Sequence, residues 1–184
     1  AETASVFGET LVFGRLLSET TDDEQRLGLL GEQIDGAIAT VFRQMAMNRF
    51  EHLMHTSRRA EGELSVDRIA ESWVEAQREL FGDSVEITEG YRMWWSYVPH
   101  FINTPGYVYA YAYGLLLALS VYSRYLEEGE PFVPRYLELL SAGGSRSPEQ
   151  LAEIVGIDLT DPGFWDSGLA LVEKQLTEAE ALAG

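Results

Sequence analysis

Between Tyr97 and Gly114 the chain places His100 and five tyrosines, Tyr97, Tyr107, Tyr109, Tyr111 and Tyr113, around the break Pro105-Gly106. No Asp, Glu, Lys or Arg occurs from Met93 to Ser123. An imidazole and phenols at a loop-to-helix junction can present polar groups to a substrate. The absence of charge predicts a buried segment whose polar groups line a pocket, with an ordinary buried aromatic helix as the simpler alternative. Two further groups could do chemistry. Glu2, Ser5 and Glu9 fall at i, i+3 and i+7, on one helical face that continues to Phe13 and Leu16 and is expected to point into the core. Carboxylates there need a cation, a metal or many donors, whereas in an exposed first turn they would only favour the helix dipole. Glu51 and His55 stand at i and i+4, but no His-Glu-x-x-His surrounds them. With Arg58 and Arg59 following, His52 and His55 read as surface or capping groups at a helix end.

The elements that must hold these residues are helices. Residues 1–18 read as a helix, and Thr20-Thr21-Asp22-Asp23 caps a long amphipathic helix from about residue 24 to 57. Its apolar stripe runs through Ile34, Ile38, Val41, Met45 and Phe50. Ser65 caps a helix to Phe81, and a loop from Gly82 to Gly90 leads to Trp94 and Trp95, which are expected to pack beneath the pocket. Tyr107 is expected to open the next helix, with Tyr107, Tyr111 and Gly114 on one face, Tyr109 and Tyr113 on another, and an end at Glu128-Gly129. Short helices follow from Pro131 and from Ser147-Pro148, and Asp161-Pro162 opens a last one that runs into a loose tail near Ala181. No strand pattern or repeat is present, which predicts an all-α fold.

The 184 residues suffice for one domain or part of a larger one. The chain begins inside a helix with no cap and no Met, so it is expected to be a piece of something longer. Thirty acidic residues against 13 basic ones, with Lys174 the only lysine, give a formal charge of -17 and argue against nucleic acid as a partner. The absence of cysteine excludes disulfides and thiolate metal sites. Asn103, Pro105 and Gly106 interrupt the uncharged run, so a membrane span is not expected either. Without a secretion signal the expected compartment is the cytoplasm.

Taken together, Glu2-Thr3-Ala4-Ser5 with Glu9, Phe42-Arg43-Gln44, Phe50-Glu51, Pro99-His100-Phe101, Tyr107-Val108-Tyr109-Ala110-Tyr111-Ala112, Gly143-Gly144-Ser145 and Gly156-Ile157-Asp158 form a recognisable series. In order and spacing it resembles the C-terminal part of the oligoendopeptidase F branch of the thimet oligopeptidase family of zinc metallopeptidases. The resemblance implies a single partial domain over residues 1–184, the multi-helix C-terminal portion of a helical catalytic domain whose upstream half is missing. In that family two histidines of a His-Glu-x-x-His helix and a glutamate about 25 residues later hold one zinc. Glu2 matches that glutamate and Glu9 a nearby acid supporting the metal site. His100 with Tyr107 and Tyr111 matches the groups that bind peptide and steady the oxyanion, and Tyr109 remains a further substrate-binding candidate. The His-Glu-x-x-His itself is absent, so the 184 residues alone are expected to be inactive. The implied function is hydrolysis of short peptides by the intact enzyme. The alternative is a non-catalytic acidic helical module that binds a peptide or protein through an aromatic groove.

Overall fold

The computed structural model describes residues 2–161 and 163–184, and of Glu2 the backbone alone. The fold is all-α, with no strand among the described residues. Its helices are α1 (Glu2–Glu19), α2 (Asp23–Ala37), α3 (Arg43–Glu61), α4 (Val66–Phe81), α5 (His100–Asn103), α6 (Tyr109–Glu128), α7 (Val133–Ala142), α8 (Pro148–Ile154) and α9 (Phe164–Ala183). Short 3-10 helices occupy Glu89–Tyr97 and Glu130–Phe132, and a π-helical turn occupies Ile38–Phe42. The chain forms two compact units, Ala1–Ala37 with Gly114–Gly184, and Ile38–Tyr113.

In the first unit the core gathers around Phe7 of α1, whose ring stacks on Tyr136 of α7 at 4.2 Å and meets Tyr122 of α6 edge-on. Phe132, Val121, Val155 and Ile157 close that cluster. A smaller cluster joins Ala37 of α2, Leu119 of α6 and Val172 of α9. A Cβ at Gly168 would stand 3.0 Å from the Leu116 carbonyl oxygen, so glycine lets α9 lie directly on α6. Arg26 closes the end of α1 by donating to the carbonyls of Leu17 and Thr20, and it pairs with Glu178 of α9.

The buried side of α1 is the one carrying Phe7 and Thr10, not the side of Ser5 and Glu9. Glu9 shares its exposed stripe with Val12 and Leu16, which corrects the expected core face. The reason is phase. Phe7 sits about 200° around the helix from Glu9, and its ring finds Tyr136 and Tyr122, whereas Leu16 has no such partner core. The tail is likewise ordered, because α9 continues to Ala183 and buries Ala179.

In the second unit α3 packs on α4, and Phe50, Trp73 and Phe101 form an aromatic centre. Phe50 meets Trp73 edge-on at 5.4 Å and Phe101 at 4.9 Å. The Trp73 indole N–H donates to the Tyr91 carbonyl, so the buried ring has its polar atom satisfied. Ser65 accepts from the Arg68 N–H at 3.1 Å and starts α4 as expected. Ser65→Ala should therefore lower stability by about 1 kcal/mol in chemical denaturation without affecting activity.

The long helix expected over 24–57 is broken by the π turn. The extra residue in that turn shifts which positions of α3 face the core of its own unit. Val41, Ala46 and Phe50 are buried, while Ile38 and Met45 of the expected stripe are turned outward.

Candidate active site

The expected site residues fall in both units. Glu9 lies in the first and is exposed. The side chain of Glu2, the expected metal ligand, lies outside the described residues. The aromatic group lies in the second unit and is held from both ends. Phe101 of α5 and Val108, just before α6, are both buried in the Phe50–Trp73 centre. Between these anchors the backbone turns at Gly106, whose φ of 73° is open to glycine and strained for other residues. Anchoring Phe101 fixes the orientation of its neighbour His100, and anchoring Val108 fixes Tyr107 and the start of α6.

The result is a three-ring cluster. His100 Nε2 and Tyr111 Oη are 3.0 Å apart, a hydrogen bond whose direction depends on the imidazole tautomer. The Tyr107 ring lies parallel to His100, with interplanar angle 5° and centroids 6.1 Å apart. It meets Tyr111 edge-on at 5.6 Å. Tyr107 and Tyr111, both after the Gly106 turn, thus meet the imidazole that precedes it. Tyr109, two residues before Tyr111 and so about 200° around the helix, is exposed and makes no ring contact with this cluster among the described residues.

The burial expected from the lack of charge holds in α6, where Ala112, Leu116, Ala118, Leu119 and Val121 are buried, and is corrected for the stretch before it, which is mostly exposed. His100 is half-buried, Tyr107, Tyr109 and Tyr111 are exposed, and Tyr97 and Ile102 reach 82% and 72% exposure. Of the tryptophan pair only Trp95 packs inward, while Trp94 faces outward with its ring tilted against Tyr97. The cause is the 3-10 geometry of Glu89–Tyr97 and the shortness of α5, which give each turn one or two inward positions and leave the others facing out. What the sequence encodes here is an uncharged aromatic surface of the unit.

Glu51, whose neighbours in the sequence suggest no metal site, is buried with 3% exposure. Its Oε1 accepts the Gly106 N–H at 2.7 Å and stands 3.9 Å from His55 Nε2, while Oε2 has no hydrogen-bond partner. The signal was present in the sequence. Met47, Phe50 and Met54 form an i, i+3, i+7 stripe packed in the core, and Glu51 occupies its i+4 place.

No group of three or more His, Asp or Glu side chains able to hold a metal occurs among the described residues. The described residues by themselves do not make a complete zinc site, which needs about four ligands. An open cleft of about 690 Å³ in the same unit, lined by Glu71, Glu75, Arg78, Glu79 and Arg92, contains none of the expected site residues. No helix is long and apolar enough to cross a membrane among the described residues.

Comparison with known proteins agrees with the resemblance. The family model described as Peptidase family M3 matches residues 1–171. Oligopeptidase PepF of Bacillus subtilis is 35% identical over 182 residues, covering 99% of this chain and 27% of that protein. An oligoendopeptidase F homolog of Borreliella burgdorferi is 30% identical, with 99% and 31% covered. Among solved structures, oligoendopeptidase-F from Enterococcus faecium superposes with a TM-score of 0.90 at 29% identity, over 99% of this chain and 35% of that one. The chain thus spans about a third of the length of these relatives.

Proposed function

The chain belongs to peptidase family M3, and on that premise we propose that it supplies the substrate-facing wall and one metal ligand of a zinc endopeptidase acting on short peptides. The remaining ligands and the general base lie outside these 184 residues, in the rest of the full-length enzyme. Glu2 is the ligand and Glu9, one helical face further on, supports it. Zinc, when bound, polarises the attacking water and the scissile carbonyl.

The observation that carries the reading is the His100–Tyr111 hydrogen bond beside Tyr107 on an uncharged, accessible surface. Attack on a peptide carbonyl turns its oxygen into an anion that needs donors already in place. His100 holds its proton on Nε2 and donates to Tyr111 Oη. That leaves the Tyr111 O–H free to donate to the substrate oxygen, and two linked hydrogen bonds polarise one another. Tyr107 borders the same position and keeps the imidazole from swinging away. Tyr109 and the outward Trp94 and Tyr97 offer aromatic faces to peptide side chains.

The test is hydrolysis. The full-length enzyme should cleave a short internally quenched peptide, lose that activity to a chelator and regain it with one equivalent of zinc. A full-length protein that binds the peptide and holds zinc yet never cuts would instead make this surface a docking groove.

A further inference from the structure

Resting on the oxyanion reading above, we propose that Glu51 is the positioning residue of the site. It acts through Gly106 to set the separation of His100 and Tyr111. Gly106 stands between the two halves of the cluster, with His100 and Phe101 before it and Tyr107, Val108 and Tyr111 after it. Apart from those two buried anchors, the turn is open. Thr104, Pro105, Gly106 and Tyr107 are exposed, and a Cβ at Gly106 would meet nothing within 4 Å. Sterics therefore do not hold the turn in place. The Glu51 bond to the Gly106 N–H ties it to α3, across a sequence separation of 55 residues, at a length of 2.7 Å.

A carboxylate is a costly way to make that bond. Glu51 is buried on the stripe of Met47, Phe50 and Met54, its second oxygen is unpartnered, and the His55 imidazole, 3.9 Å away, is itself partly in solvent. A neutral leucine of the same size would suit the stripe better. What the carboxylate adds is a short, charge-assisted acceptor at a fixed point beneath the turn, and charged acceptors bind an N–H about twice as strongly as neutral ones. Fold stability and site geometry are thus separable at this residue.

The test uses the full-length enzyme with Glu51→Leu, Glu51→Asp, Glu51→Gln and His100→Ala. Glu51→Leu should melt at or above the wild-type temperature, yet kcat should fall about tenfold with KM unchanged, because the reacting donors are displaced rather than removed. Hydrogen exchange of the peptide covering residues 102–107 should accelerate. Glu51→Asp withdraws the carboxylate from reach and should do the same to kcat and exchange, so it serves where Glu51→Leu does not fold. Glu51→Gln retains an acceptor oxygen and should recover most of the rate. In the His100→Ala background Glu51→Asp should cost nothing further in kcat.

Unchanged exchange over 102–107 in a folded Glu51→Leu or Glu51→Asp enzyme overturns the tether. Faster exchange with wild-type kcat, while His100→Ala is slow, overturns the positioning role. Full additivity of Glu51→Asp and His100→Ala does so too. If His100→Ala is itself as fast as wild type, the oxyanion reading has failed and the positioning role falls with it, an outcome the exchange data do not depend on.

Discussion

Tyr111→Phe and His100→Ala should each lower kcat of the full-length enzyme about 100-fold while leaving zinc content and KM near wild type. Both changes act on one hydrogen bond, the 3.0 Å contact between Nε2 and Oη. Tyr111→Phe removes the proposed donor and keeps the ring. His100→Ala keeps the phenol but removes the partner that orients its proton. A donor aimed at an oxygen that becomes anionic contributes little to substrate binding and about 2.7 kcal/mol to the transition state. The double variant should lose little more than either single one, because the two groups work as a unit. Tyr107→Phe leaves that hydrogen bond intact and should cost less than either change, since Tyr107 makes ring contacts with His100 and Tyr111 rather than the hydrogen bond itself. Steady-state kinetics with metal content measured on the same samples checks the whole pattern.

Glu2→Gln should behave in the opposite way, with metal affinity and activity falling together, by 100-fold or more in apparent zinc affinity on the scale of about 10-fold to 100-fold known for less direct partners. An amide carries no charge to offset the dication and is a poorer ligand than a carboxylate. Excess zinc should restore part of the rate to Glu2→Gln and none to Tyr111→Phe. Glu9→Gln should show a weaker version of the Glu2→Gln behaviour. Titration of the apoenzyme with zinc, followed by activity at each point, separates the two classes of residue.

Much of the fold was legible because it depends on local chemistry that is independent of distant packing. Ser65 and Ser147 cap the helices they were expected to cap, and the second forms a reciprocal pair with Gln150. Gly82, Gly129, Gly143 and Gly156 end elements with positive φ, as their places in the sequence required. The π turn was not legible. Ile34, Ile38, Val41 and Met45 keep an ordinary helical spacing, and only the burial of Ala46 in place of Met45 shows that the face has rotated.

The ring cluster was legible in its members and not in its setting: His100, Tyr107 and Tyr111 come together as their order suggested, whereas the burial that the lack of charge predicts is mostly absent before α6. Absence of charge is equally compatible with an apolar surface awaiting a ligand, and only the observed exposure distinguishes the two. The role of Glu51 is not visible in its i, i+4 spacing to His55. A carboxylate seated on an apolar stripe needs a donor, and that donor, the Gly106 N–H, lies 55 residues away in the sequence.

The most direct test of the central claim compares binding of a substrate peptide with binding of a tetrahedral mimic of the same peptide, such as a phosphinate, to wild type and to Tyr111→Phe. If Tyr111 and His100 recognise the oxyanion, the variant should lose affinity for the mimic by about the same 100-fold factor by which kcat/KM falls, and keep its affinity for the substrate. If Tyr111→Phe binds the mimic as tightly as wild type does, the His100–Tyr111 pair is not an oxyanion site and the account is wrong.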